Sequence, residues 1–170
     1  MNNVILIGMP SSGKSTVGVL LAKNLGYQFV DSDILIQNKT GKLLHETISE
    51  EGIDGFLKIE NEVNSSINTD RTVISTGGSA VLCQEAMEHL SSIGTVIYLK
   101  ISFQTLSKRL GDYVHRGVII KNGSTLRDMY DERCPLYEKY ADVIIDEEIY
   151  GGSLSATIER ALEAYASHKK

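Results

Sequence analysis

Residues 8–15 read Gly-Met-Pro-Ser-Ser-Gly-Lys-Ser, which is a complete G-x-x-x-x-G-K-[ST] phosphate-binding loop. The apolar run 4–7 before it predicts a buried strand, and the apolar spacing after it predicts an amphipathic helix over about 14–25. Such a loop wraps backbone N–H groups around phosphates, and the helix N-terminus adds the positive end of its dipole. Because strand, loop and helix are in register, the stretch predicts a nucleoside triphosphate site.

Four residues of this loop have distinct chemical tasks. Gly8 and Gly13 permit the backbone conformations and the close approach that a phosphate requires. Lys14 can reach the β- and γ-phosphates, and the Ser15 hydroxyl can ligate Mg²⁺.

Composition and charge restrict the remaining possibilities. The 170 residues predict one domain, and the net charge of −5 argues against general nucleic-acid binding. No apolar run approaches the ~20 residues of a membrane span, and the N-terminus does not resemble a signal peptide. We therefore expect a cytoplasmic monomer with no nucleic-acid or membrane partner, in which Cys83 and Cys134 are reduced thiols.

Strand and helix patterns alternate along the chain. Apolar runs predict strands over 3–7, 28–31, 72–75, 95–99 and 142–145, and helical spacing predicts helices over about 14–25, 33–48, 52–68, 81–92, 102–110, 124–140 and 153–168. This alternation predicts an α/β fold with three layers, in which a parallel sheet of about five strands is covered by helices on both faces. Ligands of such sheets collect at the carboxyl ends of the strands.

Polar residues follow the second and third predicted strands. Asp31-Ser32-Asp33 places two carboxylates where one can face Mg²⁺ and the other can orient or deprotonate a hydroxyl, although either can instead cap the next helix. Ser75-Thr76-Gly77-Gly78-Ser79 lets a ligand approach the backbone, although a simple strand-to-helix turn has the same composition.

Three arginines are candidates for holding the charge of a migrating phosphoryl group or an anionic substrate. Arg109 ends a predicted helix, Arg133 precedes Cys134-Pro135, and Arg116 lies in the segment 111–123. That segment has glycines and no core pattern, so it is predicted to be a mobile lid.

Taken together, these motifs resemble the shikimate kinase family, a member of the nucleoside-monophosphate-kinase-like P-loop kinases. The phosphate loop continues to Thr16, Asp31-Ser32-Asp33 matches the family's Asp-x-Asp, and 74–82 resembles its glycine-rich substrate motif. Arg133-x-Pro135-Leu136-Tyr137 is similar to the arginine motif that follows the lid. All of these occur in the family's order over nearly the whole chain.

The resemblance implies transfer of the γ-phosphate of ATP, with Mg²⁺, to a hydroxyl of shikimate, within aromatic amino acid biosynthesis. It assigns contacts with ATP to Gly8, Ser11, Ser12, Gly13, Lys14, Ser15 and Thr16, and a place beside the adenine to Arg109. It assigns metal binding to Ser15 and Asp31, and catalysis to Lys14, Asp33 and Arg116. It assigns binding of the acceptor to Asp33, Leu57, Gly77, Gly78, Ser79 and Arg133. It also assigns the helices over about 33–68 to the acceptor.

The acceptor half departs from the family pattern. The family helix reads Gly-x-x-x-Phe-Arg-x-x-Glu, whereas Gly52–Glu60 has Leu57 at the position of the arginine. Ser79 replaces the third glycine of the substrate motif, and Gly117-Val118-Ile119 follows Arg116 where the family has proline and leucines. A less acidic polyol of the gluconate type is therefore an alternative acceptor, and a non-catalytic ATP-binding module is an alternative function.

Overall fold

A five-stranded parallel sheet lies at the centre of the protein, in the order β2-β3-β1-β4-β5. The structure is a computed structural model that describes residues 2–111, 117–149 and 151–168. The strands are β1 (Asn3–Ile7), β2 (Gln28–Asp31), β3 (Thr72–Ser75), β4 (Gly94–Lys100) and β5 (Val143–Asp146). Each neighbouring pair is parallel, which confirms the predicted sheet.

Seven α-helices surround this sheet within the described residues. They are α1 (Lys14–Leu25), α2 (Ser32–Thr40), α3 (Leu44–Ser65), α4 (Gln84–Ile93), α5 (Phe103–Leu110), α6 (Leu126–Tyr140) and α7 (Leu154–His168), and a 3₁₀ turn, Ala80–Leu82, precedes α4. Among these, no helix has the length and apolarity that crossing a membrane requires.

The alternation of side chains along β1 divides the core into two apolar layers. Val4 and Leu6 pack in one cluster, with side chains of α1 and α7. Ile5 and Ile7 pack in a second cluster on the other face, with side chains of α4, α5 and α6. The sheet is therefore the middle of three layers, as the sequence predicts.

The predicted helices 33–48 and 52–68 have other boundaries. Helix α2 ends at Gly41, whose φ of 69° is the left-handed conformation that ends a helix, and α3 already begins at Leu44. The second predicted start, Gly52, is a kink inside α3 with φ 70°. Gly41 ends α2 and Gly52 kinks α3, but the apolar spacing continues past both glycines. Spacing alone therefore predicted the wrong boundary between the two helices.

A third apolar cluster joins α2 and α3 beside the sheet. Its buried members are Ile36, Phe56, Val63 and Ile119. Because Ile119 follows the undescribed residues 112–116, the far end of the predicted lid segment is held against the helices predicted to bind the acceptor.

Candidate active site

The phosphate loop connects β1 to α1 in the conformation that its glycines permit. Gly8 has φ 149° and Gly13 has φ 90°. A Cβ atom on Gly8 would lie 2.6 Å from the Leu99 carbonyl oxygen, so the loop packs closely against β4. Ser12 donates its backbone N–H to the Met9 carbonyl at 3.1 Å, which closes the loop.

Lys14 is buried at the first position of α1. Its Nζ atom donates to the carbonyl oxygens of Gly8 and Met9, each at 2.8 Å. Burial lowers the pKa of Lys14 to about 8, and the negative charges of Asp33 and Asp31 oppose this shift. The ammonium group is therefore held over the loop, where phosphate oxygens can replace the carbonyls as its partners.

Asp31 serves both the fold and the candidate metal site. Its Oδ1 atom accepts the Asp33 backbone N–H at 3.0 Å and caps α2, which is the structural role left open by the sequence. Its Oδ2 atom accepts the Ser15 hydroxyl at 2.6 Å, and the Ser75 hydroxyl lies 3.4 Å from that of Ser15.

Hard oxygen atoms of α1, β2 and β3, from Ser15, Asp31 and Ser75, thus converge next to the phosphate loop. Such a set suits Mg²⁺, which binds few protein groups and keeps waters and phosphates as its other ligands.

Two carboxyl groups lie against the backbone of Gly77. A Cβ atom there would be 2.9 Å from Asp33 Oδ1 and 2.5 Å from Glu60 Oε1, so only glycine leaves both side chains in place. Burial, followed by the charge of Asp31, raises the pKa of Asp33 to about 6, and Lys14 opposes the rise. Asp33 is therefore a carboxylate at neutral pH that can accept a proton.

Glu60 was not among the site residues predicted from the sequence. It is fully buried, and neither carboxyl oxygen has a well-formed hydrogen bond to a described residue. Burial raises the pKa of Glu60 to about 7, and Asp33 adds to the rise while the Ser79 hydroxyl, Arg133 and Lys14 oppose it. The signal in the sequence was the glutamate that ends the family's helix motif, three residues after Leu57.

Arg133 enters the site from α6 and is 2% exposed. Its guanidinium donates to the carbonyl oxygens of Gly78 at 3.1 Å and Ile119 at 2.6 Å, while Nε has no partner among the described residues. Tyr137, one turn further along α6, donates its hydroxyl to the same Gly78 carbonyl at 2.5 Å. Arg133 thereby links the glycine-rich segment to Ile119, within the predicted lid segment.

A cavity of about 270 Å³ brings most of the predicted site residues together. Its predicted members are Ser11, Gly13, Lys14, Ser15, Thr16, Asp33, Gly77, Gly78, Ser79 and Arg133, and its other walls are Pro10, Leu44, Phe56, Thr76 and residues 117–119. Phosphate-binding groups and acceptor candidates therefore share one space.

Leu57 lies outside that cavity. Successive residues of a helix point about 100° apart, so Phe56 faces the cavity while Leu57 lies beside Arg133 in a separate small cavity with Ile53 and Leu82. Arg116 belongs to residues 112–116 and lies outside the described residues. Gly117, which follows it, is so close to Leu44 that a Cβ would lie 2.6 Å from the Leu44 Cβ.

A second cavity, of about 200 Å³, adjoins the phosphate loop on its other side. It contains Ser12 and Arg109 of the predicted nucleotide contacts, and shares Gly13 and Thr16 with the first cavity. Arg109 therefore lies apart from Asp33 and Arg133, as expected of a group beside a base.

Comparison with known proteins agrees with this geometry. A model of the shikimate kinase family matches residues 10–163. The chain belongs to the shikimate kinase family. It is therefore a phosphotransferase with a hydroxyl acceptor, and ATP use follows from the kinase family.

Individual members are similar along almost their whole length. The shikimate kinase of Methylococcus capsulatus is 36% identical over 166 residues, which are 96% of this chain and 92% of the relative. That of Clostridium botulinum is 39% identical over 97% of this chain and 98% of its own. The solved shikimate kinase from Acinetobacter baumannii in complex with shikimate superimposes with a TM-score of 0.81 at 31% identity, covering 96% of this chain and 90% of that one.

Proposed function

We propose that this member of the shikimate kinase family transfers the γ-phosphate of MgATP to a hydroxyl group of shikimate. The observation that carries the proposal is the cavity that joins Lys14 to Asp33 and Arg133. Phosphoryl transfer to an alcohol that carries a carboxylate requires three groups. These are a cation that binds the phosphates, a carboxylate whose pKa lies close to neutral pH and a buried guanidinium.

The residues in and around the phosphate loop have separate roles in this reaction. The loop N–H groups and Lys14 hold the β- and γ-phosphates, and the Ser15 hydroxyl and Asp31 hold Mg²⁺. When bound, the metal neutralises charge on the phosphates. Asp33 orients the acceptor hydroxyl and takes its proton as the acceptor oxygen bonds to the γ-phosphorus and the bond to the β-phosphate oxygen breaks.

The acceptor carboxylate is assigned to Arg133. Its guanidinium has five N–H bonds, and the two carbonyls it contacts leave others, among them the unpartnered Nε–H, for an acid. Gly77 and Gly78 leave room for the ring of the acceptor against the backbone, and Ser79 lies at its edge.

The proposal assigns two larger parts of the chain. The helices over about 33–68 bind the acceptor, since Asp33 and Phe56 line its cavity. The segment 111–123 closes as a lid that excludes water, and Arg116 reaches the transferred phosphate from it.

A less acidic sugar or polyol, such as a gluconate-type substrate, remains the second candidate acceptor. Leu57 removes a positive charge that the family has there, and the buried carboxyls of Asp33 and Glu60 lie within the same region as Arg133. An acceptor with fewer negative charges would meet less repulsion in such a pocket.

The test is ATP-dependent phosphorylation of a panel containing shikimate, gluconate and a neutral polyol. Lys14→Met should lower kcat by orders of magnitude, because it removes the cation over the phosphates. Lys23→Met is the matched control, since Lys23 is exposed at the other end of α1. Parental turnover by Lys14→Met would refute the assignment of the site, and phosphorylation of another acceptor alone would refute shikimate.

A further inference from the structure

The two cavities beside the phosphate loop have different chemistry. The first contains Asp33 and Arg133, which suit a polar acceptor. The second cavity combines polar groups, among them Lys100 and Thr157, with an apolar wall of aliphatic side chains, namely Val17, Leu99, Ile101, Ile145 and Leu154. A nucleobase has flat apolar faces, and both cavities reach Gly13 and Thr16 of the loop. The base of a nucleotide whose phosphates fill the loop therefore fits the second cavity.

A paired arginine and glutamate are among the polar groups of that second cavity. Arg109, in the last turn of α5, donates through both terminal nitrogens to the two carboxylate oxygens of Glu147, with Nη1 2.8 Å from Oε2. The two residues are 38 positions apart in sequence, so the pair depends on the fold. A bidentate pair of this kind fixes the plane of the guanidinium, which a single contact does not.

Glu147 is itself held in place by the backbone. Its N–H donates to the Lys100 carbonyl at the end of β4, and its carbonyl accepts the Gly152 N–H, each at 3.0 Å. A Cβ on Gly152 would lie 3.0 Å from Glu147 Oε1, so the turn after β5 closes over the carboxylate. The Glu147 side chain is accordingly only 19% exposed, compared with 40% for that of Arg109.

We propose that Glu147 is a positioning residue for the nucleotide, which holds the Arg109 guanidinium as a planar wall of the base cavity. The inference rests on the proposed function, since it takes the loop as a nucleotide site. A guanidinium face stacks well on an aromatic ring. An unpaired arginine would lose rotamer freedom when the base binds, and Glu147 removes that cost in advance. Because neither residue lines the acceptor cavity, the effect belongs to nucleotide affinity and not to the chemical step.

The decisive variant is Glu147→Gln, which keeps the size of the side chain and removes its charge. We expect the dissociation constant of ATP, measured by calorimetry without acceptor, and the KM for ATP to rise about threefold to tenfold. The KM for the acceptor and kcat should change less than twofold. Glu148→Gln is the matched control, because the exposed Glu148 contributes equal charge in the same turn but contacts Thr105, not Arg109.

A double-mutant cycle tests whether Glu147 acts through Arg109. In an Arg109→Leu background, Glu147→Gln should have no further effect on ATP binding. An equal loss in both backgrounds, an unchanged ATP affinity, or a loss confined to kcat would each overturn the inference. If the unsubstituted protein bound no ATP, both the proposed function and this inference would be wrong. If the unsubstituted protein phosphorylated shikimate and Glu147→Gln bound ATP with unchanged affinity, only this inference would be wrong.

Discussion

The Ser15 hydroxyl donates a 2.6 Å hydrogen bond to Asp31 Oδ2, and this contact joins the first turn of α1 to the end of β2. The other oxygen of Asp31 accepts the Asp33 N–H at the start of α2. One carboxylate therefore caps the first turn of α2, which contains Asp33, and also contacts the first turn of α1 after the phosphate loop. This double role makes it possible to separate metal binding from folding by substitution.

Asp31→Asn should weaken the binding of Mg²⁺ without unfolding α2. The amide oxygen can still accept the Asp33 N–H, but the negative charge beside Ser15 is lost. We expect the Mg²⁺ concentration for half-maximal activity to rise about tenfold or more. The measurement is a Mg²⁺ titration at fixed ATP, with Asp54→Asn, an exposed position of α3, as control. Identical titration curves for all three proteins would exclude Asp31 from the metal site.

Leu57→Arg should distinguish an acidic acceptor from a neutral one. Leu57 lies beside Arg133 in the small cavity, and Arg133 also lines the acceptor cavity, so an arginine at 57 adds a positive charge next to the group assigned to the acceptor carboxylate. For shikimate, we expect KM to fall about tenfold, or ~1.4 kcal/mol. For a neutral polyol, an added charge should weaken binding.

Steady-state kinetics with both acceptors provide the comparison for Leu57→Arg. Leu57→Met, which changes shape but adds no charge, separates electrostatic from packing effects. Weak parental activity on shikimate that Leu57→Arg leaves unimproved would argue against shikimate as the native acceptor, while the phosphate loop would keep its assignment.

The parts of the site that could be predicted from the sequence are those set by local geometry. The phosphate loop follows a strand and opens a helix within residues 4–25, and Asp31-Ser32-Asp33 follows the next strand directly. The parallel sheet then places both at one edge, because parallel strands end on the same side. For the same reason, Gly77 and Gly78, which follow β3, lie at that edge and line the cavity.

The rest depends on contacts between residues distant in sequence. The division of the helices at Gly41 follows from φ 69° and not from the apolar spacing, which continues past it. The place of Glu60 in the site becomes visible only in the fold, which packs Gly77 against its carboxyl. Arg109 has a partner, Glu147, in a turn that carries no motif.

Asp33→Asn should separate acceptor chemistry from ATP binding. The amide has nearly the same shape, but it cannot take a proton from the acceptor hydroxyl at neutral pH. We expect ATP affinity to change little while phosphorylation falls ~10²–10⁴-fold. Calorimetry and single-turnover kinetics measure the two quantities, and Asp54→Asn again serves as the control. A parental phosphorylation rate would leave Asp33 with a structural role in the first turn of α2.

Glu60→Gln should increase the free energy of unfolding relative to the parent, by an amount that depends on pH. The folded pKa of Glu60 is about 7, above the ordinary value of 4.5, so the folded state holds this proton more tightly than the unfolded state does. The contribution of Glu60 to the free energy of unfolding therefore falls as pH rises from about 4.5 to 7 and is level outside that range. Glutamine does not titrate, so its stability relative to the parent should rise across that window by about 3 kcal/mol.

Urea unfolding at pH 4.5, 6, 7 and 8 measures this difference for Glu60→Gln. Any contribution of Asp33 to the pH dependence is common to both proteins and largely cancels. Glu62→Gln is the control on the same helix: Glu62 is exposed, and its hydrogen bond with Lys39 lowers its pKa, so its small effect has the opposite sign. A stability difference between Glu60→Gln and the parent that stays constant from pH 4.5 to 8 would mean that Glu60 titrates normally in the folded protein.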